Sequence, residues 1–174
     1  PTRPNGWDDG GTYRRMHQHQ WDNQQWQPWN CYITPLGAIN TVNRVKAQLD
    51  EDALPVGDLK EPMIAELRAL RALWYSMLLD THGNVPIVDT WTDELPKQAT
   101  RQEVYNFVVK ELTEALPNLS EANDGTTYGR MNKWAALACL TRVYLNAEVY
   151  TGTPAWDKVV TTADQIINSG IFEL

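Results

Sequence analysis

Residues 66–88 read ELRALRALWYSMLLDTHGNVPIV, and this stretch decides the fold class. Met63, Leu67, Leu70, Trp74 and Met77 recur at i, i+4, i+7, i+11 and i+14, which is one face of an amphipathic helix. Pro62 suits the first turn of that helix, where no backbone N–H is needed. His82-Gly83 stops it near Thr81, because glycine takes the left-handed conformation that closes a helix without a Cβ penalty. Pro86 cannot donate to an interior ladder, so residues 84–88 are predicted as an edge strand or an extended loop.

The rest of the chain from residue 32 onward also reads as helices. A helix over about 35–49 carries Leu36, Ile39, Val42, Val45 and Leu49 on one stripe, and Pro55 and Gly57 break the loop that follows it. Thr100-Arg101-Gln102-Glu103 is a capping box, predicting a helix over about 100–116 that buries Val104, Phe107, Val108, Leu112 and Leu116. Residues 132–150 are apolar on more than one face and predict a helix packed between neighbours, with Trp134 and Cys139 inside. Thr153 as N-cap and Pro154 at the first position predict a last helix ending at Ser169-Gly170, with Trp156, Val159, Val160, Ala163, Ile166 and Ile167 buried. The short turn at Thr151-Gly152 makes these last two helices antiparallel. The fold class is all-α: tetratricopeptide-like helical pairs forming an α-α superhelix, with a loop-rich ligand-binding segment. That segment is 1–31, read as irregular from its Gly, Pro, Gln and Asn content. It holds four of the eight tryptophans, Trp7, Trp21, Trp26 and Trp29.

At 174 residues the length fits one domain with a sizeable core. A net charge of −7 without any Lys/Arg cluster excludes nucleic acid as a partner. No apolar run approaches the 18 or so residues a membrane helix needs. Two cysteines, Cys31 and Cys139, are too few for a disulfide framework, and Cys139 reads as a buried free thiol. His17-Gln18-His19 offers two ligands where zinc needs three or four, so no metal is expected. No nucleophile motif, phosphate loop or dinucleotide turn is present, and no cofactor or catalytic residue is assigned.

Four blocks together resemble the SusD/RagB family of outer-membrane nutrient-binding lipoproteins of Bacteroidota. PTRPNGWDDGGTYRRMHQHQW (1–21) is similar to the family's TRG-x-DW…GG…LH-x-H-x-W block, and WNCYITPLGAINTVN (29–43) to its W…Y…I…N helix. The opening stretch resembles E-x-RFLRA…Y…L…FGDVPL, the most specific of the four. YGRMNKWAALACLTRVYLNAEVY (128–150), followed by NSGIFEL, resembles GR-x-TK-x-AA-x-ALLARVYL…Y.L. The departures are Pro4-Asn5 for Arg-Gly, Trp74 for a smaller aromatic and Asn132 for Thr. The resemblance implies that 1–174 is the N-terminal and central part of one longer SusD-like domain: a Trp-rich segment over 1–31 and a helical scaffold over 32–174. It also implies an oligosaccharide ligand, or in some members a peptide. The partner would be a TonB-dependent SusC-like transporter, and the place the outer-membrane surface, reached through a lipid anchor outside this chain.

Sugar chemistry suits the first 31 residues. A pyranose presents a face of C–H groups and a rim of hydroxyls; an indole covers the face, and Asp, Asn, Arg and Gln satisfy the rim. Covering about 80–100 Å² of indole is worth roughly 2 kcal/mol by area. Trp7, Asp8 and Asp9, in a Gly-flanked loop, are the first candidates, followed by Arg3, Trp21, Trp26 and Asn30. The competing reading makes Trp21 and Trp29 core residues that pin the segment to the helices. Trp74, Trp134 and Trp156 sit on helical stripes and are expected in the core, while Trp91 stays undecided. Arg68 and Arg71 are expected to pair with Glu66 or with carbonyls, or to face solvent. Two other functions are kept open: a carbohydrate-active enzyme using paired carboxylates, and a helical scaffold that binds only protein.

Overall fold

The computed structural model describes residues 9–173. Among them all regular structure is helical, as the periodicities require. A single turn at Asp9–Gly11 leads into α1 (Thr12–His17), and α2 (Trp26–Asp50), α3 (Lys60–Thr81) and α4 (Arg101–Ala115) follow. The chain continues through α5 (Lys133–Leu145), the short α6 (Ala147–Thr151) and α7 (Trp156–Ile167). The helices stand in a row: α3 packs on α2 and on α4, α4 on α5 and α6, and α5 on α7. None of the described helices is long and apolar enough to cross a membrane.

α3 is the centre of this row, and its buried face differs from the expected one. The stripe of Met63, Leu67, Leu70 and Trp74 is only half-buried, and Met77 is exposed. The fully buried positions are Ala65, Ala69 and Ala72 together with Tyr75, Leu78 and Leu79. A helix with neighbours on both flanks buries two stripes, and alanines on them let backbones approach closely. Tyr75 meets Phe107 of α4 edge to face at 5.0 Å, and Ser76 meets Cys139 of α5. Cys139 is buried as expected, and burial pushes its thiol up. Trp134 is buried too, its indole N–H donating to the Glu121 carbonyl at 2.7 Å. Tyr150 of α6 donates to Asp80 at 3.0 Å and is pushed up to about 12, by burial first and by that carboxylate second.

Arg68 and Arg71 do not pair with Glu66. Both reach Glu111 of α4, Arg68 at 2.8 Å and Arg71 at 2.8 Å through Nε, and Arg71 and Glu111 are buried. Glu66 instead pairs with Arg130. Arg71 also donates to the Asp89 carbonyl, so the expected carbonyl contact is present beside an ion pair that joins two helices.

α3 ends as its sequence predicts. The N–H groups of His82 and Gly83 both donate to the Leu78 carbonyl, and Gly83 has φ +73°. A Cβ there would also lie 2.5 Å from Nε of Arg101, so glycine is required twice over. Residues 84–88 leave extended, and Pro86 forms a lone antiparallel bridge with Gln98. The α4 capping box is complete: Glu103 N–H donates to Thr100 Oγ1 at 3.3 Å, and Thr100 N–H donates back to Glu103 Oε2 at 2.7 Å.

Three boundaries differ from expectation. α2 begins at Trp26 rather than near residue 35, so 1–31 is not irregular throughout. Pro28 sits in the first turn, where its missing N–H costs nothing, and Pro35 is carried inside the helix and buried. The helix expected over 132–150 breaks at Asn146, whose side-chain amide donates to the Arg142 carbonyl at 2.9 Å and competes with the backbone ladder. α7 starts at Trp156 instead of Pro154, because the Thr151 hydroxyl holds Thr153 through both its N–H and its carbonyl. The expected burial on α7 holds only in part. Val159, Ala163 and Ile166 are half-buried, whereas Trp156, Val160 and Ile167 are exposed, since α5 covers one side of the helix alone.

Candidate functional site

Two helix starts and the link between them build an aromatic cluster. Gly10 and Gly11, both at positive φ, turn the chain into α1, and Arg15 braces the turn by donating to the Gly10 carbonyl and to Thr12 Oγ1. α1 presents Tyr13, whose ring meets Trp26 edge to face at 6.5 Å. In the link, Asp22 accepts from the Gln24 N–H at 2.9 Å, and Trp21 lies against the His19 ring at 5.3 Å. The first turn of α2 then raises Trp26, Trp29 and Asn30 at i, i+3 and i+4, one side of the helix. All three are exposed, with Trp29 the most open of the tryptophans here at 59 %. One turn further along, Tyr32 packs on His82 at 5.1 Å, which ties this end of α2 to the exit of α3.

Gln25 and Gln27 flank Trp26 and are buried, yet their side-chain amides have no hydrogen-bond partner among the described residues. A buried amide left unpaired costs about 1–3 kcal/mol.

The sequence-predicted residues divide clearly. Trp21, Trp26 and Asn30 are exposed at one end of α2. Arg3, Trp7 and Asp8 lie outside the described residues, and of Asp9 only the backbone turn is described. Trp21 and Trp29 are exposed, so the reading that made them core residues is overturned. Trp29 joins the candidates; its spacing from Trp26 and Asn30 would have shown it once α2 was seen to start nine residues earlier. Trp156 is also exposed, against expectation, but belongs to α7 at the other end of the row. Among the described residues no three His, Cys, Asp or Glu side chains gather as a metal site.

Among the described residues, two concave spaces lie elsewhere. A cleft of about 250 Å³ is lined by Leu59, Met63, Leu119 and Met131, and an apolar groove beside it by Leu49, Leu54, Leu67 and Leu70. The Glu66–Arg130 ion pair borders both. Leu49 is twenty residues beyond Trp29 on α2, about 30 Å along the axis. The clefts are thus separate from the aromatic cluster, and stacking on a sugar needs open ring faces more than an enclosed cavity. The described part of the cluster offers flat apolar faces beside the Asn30 amide and the Tyr13 hydroxyl.

A row of paired helices with exposed aromatic residues at one end defines an all-helical scaffold. Over residues 4–145 the chain matches a family described as starch-binding and associating with the outer membrane, and it belongs to that SusD-like family. It is 35% identical over 105 residues to the starch-binding protein SusD of Bacteroides thetaiotaomicron, covering 60% of this chain and 19% of the relative. Among solved structures, one obtained with a xylogluco-oligosaccharide superposes with a TM-score of 0.80 at 23% identity, over 93% of this chain and 34% of the other. A laminarin-binding SusD-like protein gives a TM-score of 0.69 at 23% identity, over 79% and 29%. The chain thus spans about a fifth of the curated relatives it matches and about a third of these structures.

Proposed function

We propose that this chain captures oligosaccharides at the outer-membrane surface and passes them to a TonB-dependent SusC-like transporter, acting as a binding protein without catalysis. The observation that carries this reading is the exposure of Trp21, Trp26 and Trp29 at one end of a SusD-like scaffold. Three exposed indoles give weak, reversible capture: each contributes roughly 2 kcal/mol by area, and lost freedom on binding offsets much of it. Such affinity suits a protein that must release its cargo. Starch in one relative, laminarin in a second and a xylogluco-oligosaccharide in a third support a glucan-type ligand. A lipid anchor elsewhere in the polypeptide would hold the protein at the membrane, in keeping with the family's description.

Affinity electrophoresis and calorimetry against starch, laminarin, xyloglucan and a peptide panel test the proposal. Binding to at least one glycan is expected, weakened about tenfold or more by Trp26→Ala with Trp29→Ala. No binding to any glycan would overturn it, and binding to peptides alone would replace sugar with peptide as the cargo. Release of reducing ends by the purified protein would convert the reading to an enzyme.

A further inference from the structure

α2 and α3 run antiparallel in a register that two contacts fix. Arg71 donates to Asn43 Oδ1 at 2.7 Å. Eleven residues before Asn43 and eleven residues after Arg71, the Tyr32 and His82 rings meet with centroids 5.1 Å apart and planes 56° apart. His82 is the residue that caps α3. α2 therefore runs past the end of α3 by the six residues 26–31, about 9 Å of helix. Trp26, Trp29 and Asn30 all stand on this overhang, and all three are exposed.

An overhanging first turn needs support from outside the helix. Its leading backbone N–H groups have no partner within the helix, and Gln25 at the N-cap makes no side-chain hydrogen bond to them. Turns of this kind are the first to open. Among the described residues, ring contacts reach the overhang at both ends: Tyr13 on Trp26 at the tip, and His82 on Tyr32 at the base. Tyr32 lies three residues from Trp29 and so beside it on the helix surface. Whatever shifts Tyr32 carries Trp29 and Asn30 with it.

The His82 ring is itself held. The His82 N–H donates to the Leu78 carbonyl at 2.8 Å, and the His82 carbonyl accepts from the Asn84 N–H at 2.9 Å. The Thr81 hydroxyl donates to the Met77 carbonyl at 2.7 Å, so its oxygen accepts from His82 Nδ1 at 2.9 Å and orients the imidazole. We propose that His82 is a positioning residue of the aromatic end. Its ring, fixed on the close of α3, braces Tyr32 and thereby holds Trp26, Trp29 and Asn30 in the array that a glycan meets. It acts through Tyr32, not by touching the sugar. Aromatic pairs stabilise beyond the area they bury, and an array ordered in advance spares the ordering cost of binding. The inference rests on the glycan-binding reading above.

Calorimetry against starch, laminarin and xylogluco-oligosaccharides tests this, with amide exchange and melting curves on the same samples. His82→Ala should weaken glycan affinity about fivefold, the effect of losing one aromatic pair. It should also speed amide exchange at residues 30–33, where the first backbone hydrogen bonds of α2 form. Tm and exchange at residues 39–43 should stay as in the native chain. His82→Phe restores a ring against Tyr32 and should bind and exchange like the native chain. If His82→Ala binds glycan as tightly as the native chain, the brace is refuted while glycan capture stands. If His82→Phe binds as weakly as His82→Ala, ring contact does not position the overhang and the inference fails. Lost affinity with faster exchange along the whole of α2 and α3 would make His82 a general stability residue and overturn the positioning role. A native chain that binds none of these glycans overturns capture and the brace together.

Discussion

Glu111 accepts from Arg68 and Arg71 across the α3–α4 interface, and Arg71 and Glu111 have almost no solvent to fall back on. Removing one member of such a group leaves an uncompensated buried charge, which costs about 3–5 kcal/mol. Glu111→Gln should therefore destabilise the fold by about 3 kcal/mol in urea titration, with Arg71 still buried and only a neutral partner left. Because Arg71 also holds the Asp89 carbonyl, amide exchange at residues 88–90 should rise in the same variant. Arg71→Met with Glu111→Leu should recover much of the stability, since it removes the buried pair and leaves Arg68 to Glu114, but not the slow exchange of residues 88–90. A loss under 1 kcal/mol for Glu111→Gln would mean that water reaches the pair. The sequence placed Arg71 correctly as a residue that finds a carbonyl, yet pairing rules along one helix pointed to Glu66. The true carboxylate lies forty residues away on α4, and no local spacing reveals it.

The capping box of α4 was fully legible because all its parts lie within four residues. Glu103 is held below its ordinary value of about 4.3, first by the Thr100 backbone N–H and then by the Thr100 hydroxyl. A carboxylate depressed on folding adds stability that is present above its unfolded value and is lost as pH falls through the lower folded value. Glu103→Gln should thus be less stable than the native chain at pH 7, and the gap should close as pH drops below about 4. Melting curves from pH 2.5 to 7 check this; a gap that does not change with pH would show that the carboxylate charge contributes nothing there. Gly83 at the end of α3 was legible for the same reason of locality. The starts of α2 and α7 were not. Pro35 looks like a first-turn proline but is tolerated inside a helix that neighbours hold in place, and Thr153 looks like a cap but is already held by Thr151. The same early start of α2 hid Trp29 from the candidate site, whereas Trp21, Trp26 and Asn30 were found from residue chemistry alone.

The row of helices explains both the false expectation on α3 and the open face of α7. Sequence periodicity says that a stripe is apolar but not how many neighbours a helix has. α3 has partners on both flanks and buries alanines that no stripe search favours. α7 stands at the end of the row, and Trp156, Val160 and Ile167, at i, i+4 and i+11, face outward together. Leu145, Val149 and Phe172 are exposed as well at this end of the chain. Exposed apolar side chains gathered at one end of a chain favour association. The 174-residue chain by itself should therefore raise ANS fluorescence in its native state and show a sedimentation coefficient that grows with concentration. Val160→Lys with Ile167→Lys should suppress both. Because the two side chains are exposed, stability should stay within about 0.5 kcal/mol per site. If instead the lysine pair lowers Tm by ten degrees or more, the face is buried in solution and α7 packs differently from the arrangement described. A chain that stays monomeric at high concentration and silent to ANS would show that these side chains are too scattered to act as one patch.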